Sequence, residues 1–116
     1  MESFPEKHCG EGNDSMLSYE KHRGRLTVRL DGELDHDRVG PIRAELDALI
    51  SDPKVKHLVL DMGGVSFMDS SGIAVVLRTW RRMSQLGGVM TVRNVPPQAA
   101  KVLKAAGIDK LIPFQE

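Results

Sequence analysis

Cysteine is nearly absent from this 116-residue chain: Cys9 is the one instance. No intrachain disulfide framework can form, and the usage suits a reducing compartment. A charge imbalance is missing too, since sixteen Lys and Arg face sixteen Asp and Glu. Nucleic-acid and anionic-membrane partners usually show as a basic excess, so neither a direct nucleic-acid contact nor a membrane is expected. A protein partner remains open. No apolar run reaches membrane-spanning length and no signal-peptide core leads the chain, which points to a soluble cytoplasmic protein. At 41% hydrophobic and 28% charged residues, the composition is that of one globular domain with one core.

Catalytic signatures are lacking as well. No serine sits in a Gly-x-Ser-x-Gly elbow, and no Gly-x-x-x-x-Gly-Lys-Ser/Thr loop is present for a nucleotide. A triad of Ser70, His36 and Asp35 can be drawn on paper. His36 and Asp35 are sequence neighbours, however, and no oxyanion loop accompanies them. Asp31, Asp35, Asp37 and Asp61 follow no metal-ligand spacing, and His8-Cys9 lacks the second ligand pair of a zinc site. The chain reads as a non-enzyme without metal or cofactor.

What is present is periodicity. Residues 1–15 are polar and aperiodic, which predicts a disordered tail before a domain over 16–116. Met16–Glu20, a turn at Lys21-His22-Arg23-Gly24, and Arg25–Leu30 with Leu26, Val28 and Leu30 on one face predict a hairpin. Asp31–Asp35 then reads as a loop. Val39, Ile42, Leu46, Leu49 and Ile50 form the stripe of a helix over 37–50, with Gly40-Pro41 in its first turn. Val55–Leu60 predicts a buried parallel strand and Met62–Met68 a loop.

A second helix over 70–86 carries Ile73, Val76, Leu77, Trp80 and Met83 inward. Arg78, Arg81, Arg82 and Gln85 make its solvated face, and Gly87-Gly88 stops it. Val89–Arg93 is a strand. Pro96-Pro97 opens a third helix with Ala99, Val102, Leu103 and Ala106 inward, and Leu111–Phe114 is a short edge strand. The order β-β-α-β-α-β-α-β predicts an α/β fold: a small mixed sheet, antiparallel in its N-terminal hairpin and parallel thereafter, packed by helices.

Functional groups of such sheets gather at the carboxyl ends of the strands. Two segments fall there, Gly32-Glu33-Leu34-Asp35-His36 and Asp69-Ser70-Ser71-Gly72. The second joins a strand to a helix, where backbone N–H groups lack partners and favour an anion. Two readings fit the serines: they cap the second helix, or they offer a hydroxyl that a partner inspects or phosphorylates.

Gly32-Glu33-Leu34-Asp35-His36, Leu58-Val59-Leu60-Asp61, Val65-Ser66-Phe67-Met68-Asp69-Ser70-Ser71-Gly72-Ile73 and Gly87-Gly88 together resemble the STAS domain. More closely they resemble the bacterial anti-sigma factor antagonists, the sporulation type above all. The resemblance spans about Met16 to Glu116. It implies a partner switch: the bare antagonist binds an anti-sigma factor that is also a serine kinase and so frees a sigma factor. Phosphorylation then releases it, and a PP2C-type phosphatase resets it. It implies Ser70 as the phosphoacceptor, Asp69 as its neighbouring aspartate and Asp35 as an acidic contact. The implied docking surface holds Gly32, Glu33, Asp35, His36, Asp69, Ser71, Gly72 and Ile73. Gly40-Pro41 departs from the helix-forming residues of the family. An interaction module of a transporter or of a stress-sensing complex is the alternative within the same fold.

Overall fold

The computed structural model describes residues 6–9 and 17–115. The elements are β1 (Glu6–Cys9), β2 (Leu17–His22), β3 (Arg25–Leu34), α1 (Val39–Ile50), β4 (His57–Met68), α2 (Ser70–Gln85), β5 (Val89–Arg93), α3 (Pro97–Ala105) and β6 (Phe114–Gln115). A turn of 3-10 helix, Ile108–Lys110, precedes β6. The six strands lie in sequence order, β1-β2-β3-β4-β5-β6. The first two pairings are antiparallel and the other three parallel. The mixed α/β sheet expected from the pattern is the one formed.

Strand order in sequence has a consequence for the layers. Each crossover from β3 onward moves one place in the same direction, and right-handed crossovers then put every helix on one face. The core confirms it. Leu26 aligns with Leu58 and Met90, and Val28 with Leu60 and Val92. These side chains share one apolar cluster with Ile42 and Leu46 of α1, Val76 and Met83 of α2, and Ala99 and Leu103 of α3. The opposite face carries the rows Thr27, Val59, Thr91 and Arg29, Asp61, Arg93.

Several expectations are corrected. Glu6–Cys9, expected in a disordered tail, pairs as a strand along β2, whose outer edge otherwise offers unpaired N–H and C=O groups; the rest of residues 1–15 lies outside the described residues. Asp31–Asp35 and Met62–Met68 are not wholly loops, because β3 and β4 stay paired through Leu34 and Met68. Gly32, Gly63 and Gly64 read as turn signals, yet they accommodate register shifts at Arg29/Asp31 and Gly32/Glu33. Gly32 takes φ +90°, which a side chain rarely adopts. Helix α1 begins at Val39 rather than Asp37, with Pro41 in a turn whose N–H groups lack helical partners. On α2 the buried stripe is rotated toward Gly72, Val75 and Thr79, leaving Ile73, Leu77 and Trp80 half-buried, because α1 and α3 flank it. Thr79 satisfies its hydroxyl on the Val75 carbonyl at 2.8 Å. Ala106 is exposed past the end of α3, and the last strand forms after Pro113 instead of around it.

Asp61 is a charge buried in the open face. Burial alone would raise its pKa. Hydrogen bonds from the Gly63 amide (2.9 Å), the Arg93 guanidinium (3.2 Å) and the Asn94 amide (3.4 Å) outweigh that and hold it below the ordinary carboxylate value. Across the row, His57 meets Thr91 at 3.2 Å, and burial, then the Arg25 charge, push its pKa down. Both shifts make the unfolded chain the stronger proton acceptor, so acid destabilises the fold. Stability is complete above the ordinary histidine value of 6.5. It declines below that as unfolded His57 takes a proton, and again below 3.8 as Asp61 does. The urea midpoint measured across this range is expected to fall in two stages. His57→Gln removes the upper stage and Asp61→Asn weakens the lower; superimposable profiles would contradict the assignment.

Candidate functional site

The bulged pairing of β3 with β4 ends both strands side by side, Leu34 opposite Met68. The two sequence segments singled out above are therefore neighbours. A side chain then locks them. Asp69 is the N-cap of α2, in extended conformation, and its Oδ1 accepts from the Ser71 amide at 2.8 Å. Its Oδ2 accepts from the His36 amide at 3.3 Å, across to the loop after β3. The Asp69 amide in turn donates to the Leu34 carbonyl at 3.3 Å. One carboxylate thus caps a helix and ties down the opposite loop.

This decides the capping question. Asp69 is the cap, so neither serine is needed for it. Ser70 is exposed on the first turn of α2, and its hydroxyl has no hydrogen-bond partner among the described residues. No acidic residue occupies the first turn of α2 itself, so an anion there meets the positive end of the helix dipole.

The β3–α1 loop is ordered by Asp35. Its Oδ1 accepts from the amides of Asp37 (3.2 Å) and Arg38 (3.1 Å), and its Oδ2 from the Arg38 guanidinium at 3.0 Å. Arg38 also donates to Glu33 Oε1 at 2.7 Å. Asp35 is consequently a loop organiser with a quarter of its side chain exposed, whereas half of the Glu33 side chain is open to solvent. His36 is exposed and makes no side-chain bond to Asp35 or Ser70, so the paper triad is not assembled. Gly32 and Ser71 are half-buried at the rim, and Ile73 packs against the core. Gly72 is buried: a Cβ there would press on Met68 Cγ at 2.7 Å and the Leu34 carbonyl oxygen at 3.1 Å. Its lack of a side chain lets α2 seat on β3 and β4; it presents no surface to a partner.

Two contributors, Arg38 and Gln98, escaped the sequence reading. Arg38 carries no motif, but its charge between two carboxylates sets the loop. Gln98, behind Pro96-Pro97, clamps the backbone of Met68: its Oε1 accepts from the Met68 amide at 2.9 Å and its Nε2 donates to the Met68 carbonyl at 3.0 Å. Phe67, in the segment expected as a loop, lies 42% exposed just before Met68 and Asp69. Among the described residues no three His, Cys, Asp or Glu side chains are arranged to hold a metal ion.

The strand-end surface thus sets an exposed serine hydroxyl at a helix start beside a loop ordered by Asp35 and Asp69. Comparison with known proteins gives the family. The STAS domain model matches residues 16–116, and the chain belongs to that family. It is 38% identical over 100 residues to an anti-sigma F factor antagonist of Paenibacillus polymyxa, covering 86% of each chain. It is 37% identical over 86 residues to one of Lysinibacillus sphaericus, covering 74% of each. The anti-sigma factor antagonist SpoIIAA in its unphosphorylated form superposes with a TM-score of 0.74 at 31% identity, over 84% of this chain and 86% of that one. Its phosphorylated form, from Bacillus, superposes at 0.68 with the same identity.

The double role of Asp69 is open to measurement. Replacing it with alanine removes a cap worth about 0.5–2 kcal/mol and unties the β3–α1 loop. Asp69→Ala is expected to lower stability by that amount and to speed amide exchange at both Ser71 and His36. Faster exchange at Ser71 alone would show that the bridge to His36 carries no load.

Proposed function

We propose that the chain is an anti-sigma factor antagonist of the SpoIIAA type, acting in the cytoplasm through a phosphorylation switch at Ser70. When Ser70 is bare, the surface formed by the Gly32–His36 loop and the start of α2 docks on an anti-sigma factor that is also a serine kinase, and a sigma factor is freed. Transfer of phosphate to Ser70 releases the complex, and a PP2C-type phosphatase restores the hydroxyl. The chain is a kinase substrate and not itself an enzyme. The observation that carries this reading is the unbonded, exposed Ser70 hydroxyl, left free because Asp69 does the capping.

The physics of release is intermolecular. A phosphate adds about −1.5 to −2 charge, and the α2 N-terminus tolerates it. The fold therefore survives. Across an interface the same group brings a dianion beside Asp69 and Glu33. Burying an unpaired charge there costs about 3–5 kcal/mol, or roughly 10²- to 4 × 10³-fold in affinity. Glu33 and Phe67 are the exposed contacts best placed to bind a partner with basic residues around an apolar hollow.

With the cognate anti-sigma kinase and ATP, the wild type is expected to take up one phosphate and Ser70→Ala none. Label kept in Ser70→Ala but lost in Ser71→Ala would move the acceptor by one residue. By calorimetry Ser70→Asp should bind the kinase at least tenfold more weakly, with an unchanged far-ultraviolet spectrum. Phe67→Ala should weaken binding by about 1–2 kcal/mol without affecting the fold; undiminished affinity would remove Phe67 from the interface.

A further inference from the structure

Net neutrality conceals a segregation of charge. Carboxylates crowd the Ser70 end of the sheet, at Asp31, Glu33, Asp35, Asp37 and Asp69. The opposite end, where the parallel strands begin, is basic. Arg23, Arg25, Lys54 and Lys56 are exposed there, and none has an ion-pair partner among the described residues. Arg23, Arg25 and Lys54 line an open hollow of about 230 Å³ in which Asp52, already paired with Lys21 at 3.1 Å, is the one carboxylate among the lining residues. Three connections are laced into one edge. The Gly24 carbonyl accepts from the Lys56 amide at 2.8 Å, and the Lys56 carbonyl accepts from the Val89 amide at 3.0 Å. The lowered pKa of His57, pushed down by burial and then by Arg25, is a local sign of the same positive field.

Apolar groups share this edge. Val89, the first residue of β5, is 61% exposed and donates to the Lys56 carbonyl, and Leu86, just past the end of α2, is 48% exposed. We infer that this edge is a docking site for an anionic lipid bilayer, with Arg23, Arg25, Lys54 and Lys56 against the headgroups and Leu86 and Val89 entering the acyl boundary. The pairing of cations with exposed aliphatic side chains selects this occupant. A phosphate backbone gains nothing from Val89 and Leu86, whereas a bilayer surface rewards both kinds of group. Strand β4 runs from this edge to Met68, twelve residues or about 35–40 Å of chain. A molecule seated on a bilayer by this end would leave Ser70 facing away from it. The inference stands independently of the phosphorylation switch.

The test uses the full chain and vesicles of phosphatidylglycerol and phosphatidylcholine in equal parts, at low salt. The protein should cosediment with these vesicles, not with phosphatidylcholine alone, and be released as salt rises. Each cation contributes about fivefold near such a surface. The combined variant Arg23→Gln, Arg25→Gln, Lys54→Gln, Lys56→Gln should therefore lose on the order of several hundredfold in partitioning. Leu86→Ser with Val89→Ser should lose about tenfold while keeping its salt dependence. Circular dichroism checks that both variants are folded. Failure to cosediment, equal binding by the four-residue variant, or no effect of the Leu86 and Val89 pair would overturn the assignment. Tighter binding to a DNA duplex or to polyglutamate than to the vesicles would overturn it in favour of that polyanion.

Discussion

One carboxylate holds the functional end of this molecule together. Asp69 places one oxygen on the Ser71 amide and the other on the His36 amide, so the start of α2 and the β3–α1 loop move as one body. The cap it supplies to α2 is the reason Ser70 has a hydroxyl to spare. Had Ser70 itself capped the helix, its oxygen would be engaged with the backbone and its modification would unseat the helix. Under the proposed switch, this division of labour between adjacent residues would let Ser70 be modified without unseating the helix. Behind Asp69, Gln98 pins Met68 from α3, and buried Gly72 lets α2 settle close to β3 and β4.

The layer arrangement decides where anything can bind. Strands in sequence order with same-handed crossovers send all three helices to one face. On the other, open face Arg93, Arg29 and Asn94 gather around Asp61. The two ends of the sheet differ in sign. The carboxyl end gathers acidic groups, an exposed Phe67 and Ser70. The amino end gathers cations that have no ion-pair partner among the described residues, with Val89 and Leu86. A protein partner at one end and an anionic surface at the other do not compete for the same residues. The similarity to anti-sigma F factor antagonists supports the partner proposed for the first of these ends.

Sequence reasoning recovered the elements whose period was undisturbed. Leu26, Val28 and Leu30 alternate because one face of β3 is fully buried, and Val89–Arg93 was bounded by glycines on one side and prolines on the other. It failed where glycine does something other than turn. Gly32, Gly63 and Gly64 lie in bulged, paired strands, and no local rule separates a bulge glycine from a loop glycine. The stripe of α2 was off by part of a turn, since α1 and α3 together decide which flank is covered. At the site, the two motif segments come together at the ends of β3 and β4, where Asp35 orders its loop and Gly72 lets α2 pack closely. Arg38 and Gln98 carry no pattern at all, because their partners are a loop carboxylate pair and a backbone segment far away in the chain. Zero net charge could not reveal that the charges are sorted by end.

The account rests on the claim that phosphate on Ser70 changes what the surface accepts and leaves the fold alone. The most direct test combines amide NMR shifts and binding calorimetry on the protein stoichiometrically phosphorylated at Ser70. Shift changes confined to the first turn of α2 and the Glu33–His36 loop, with affinity for the anti-sigma factor lowered on the order of 100-fold or more, are the predicted result. Shift changes throughout the core of β3 and β4, or an affinity equal to that of the bare protein, would contradict it.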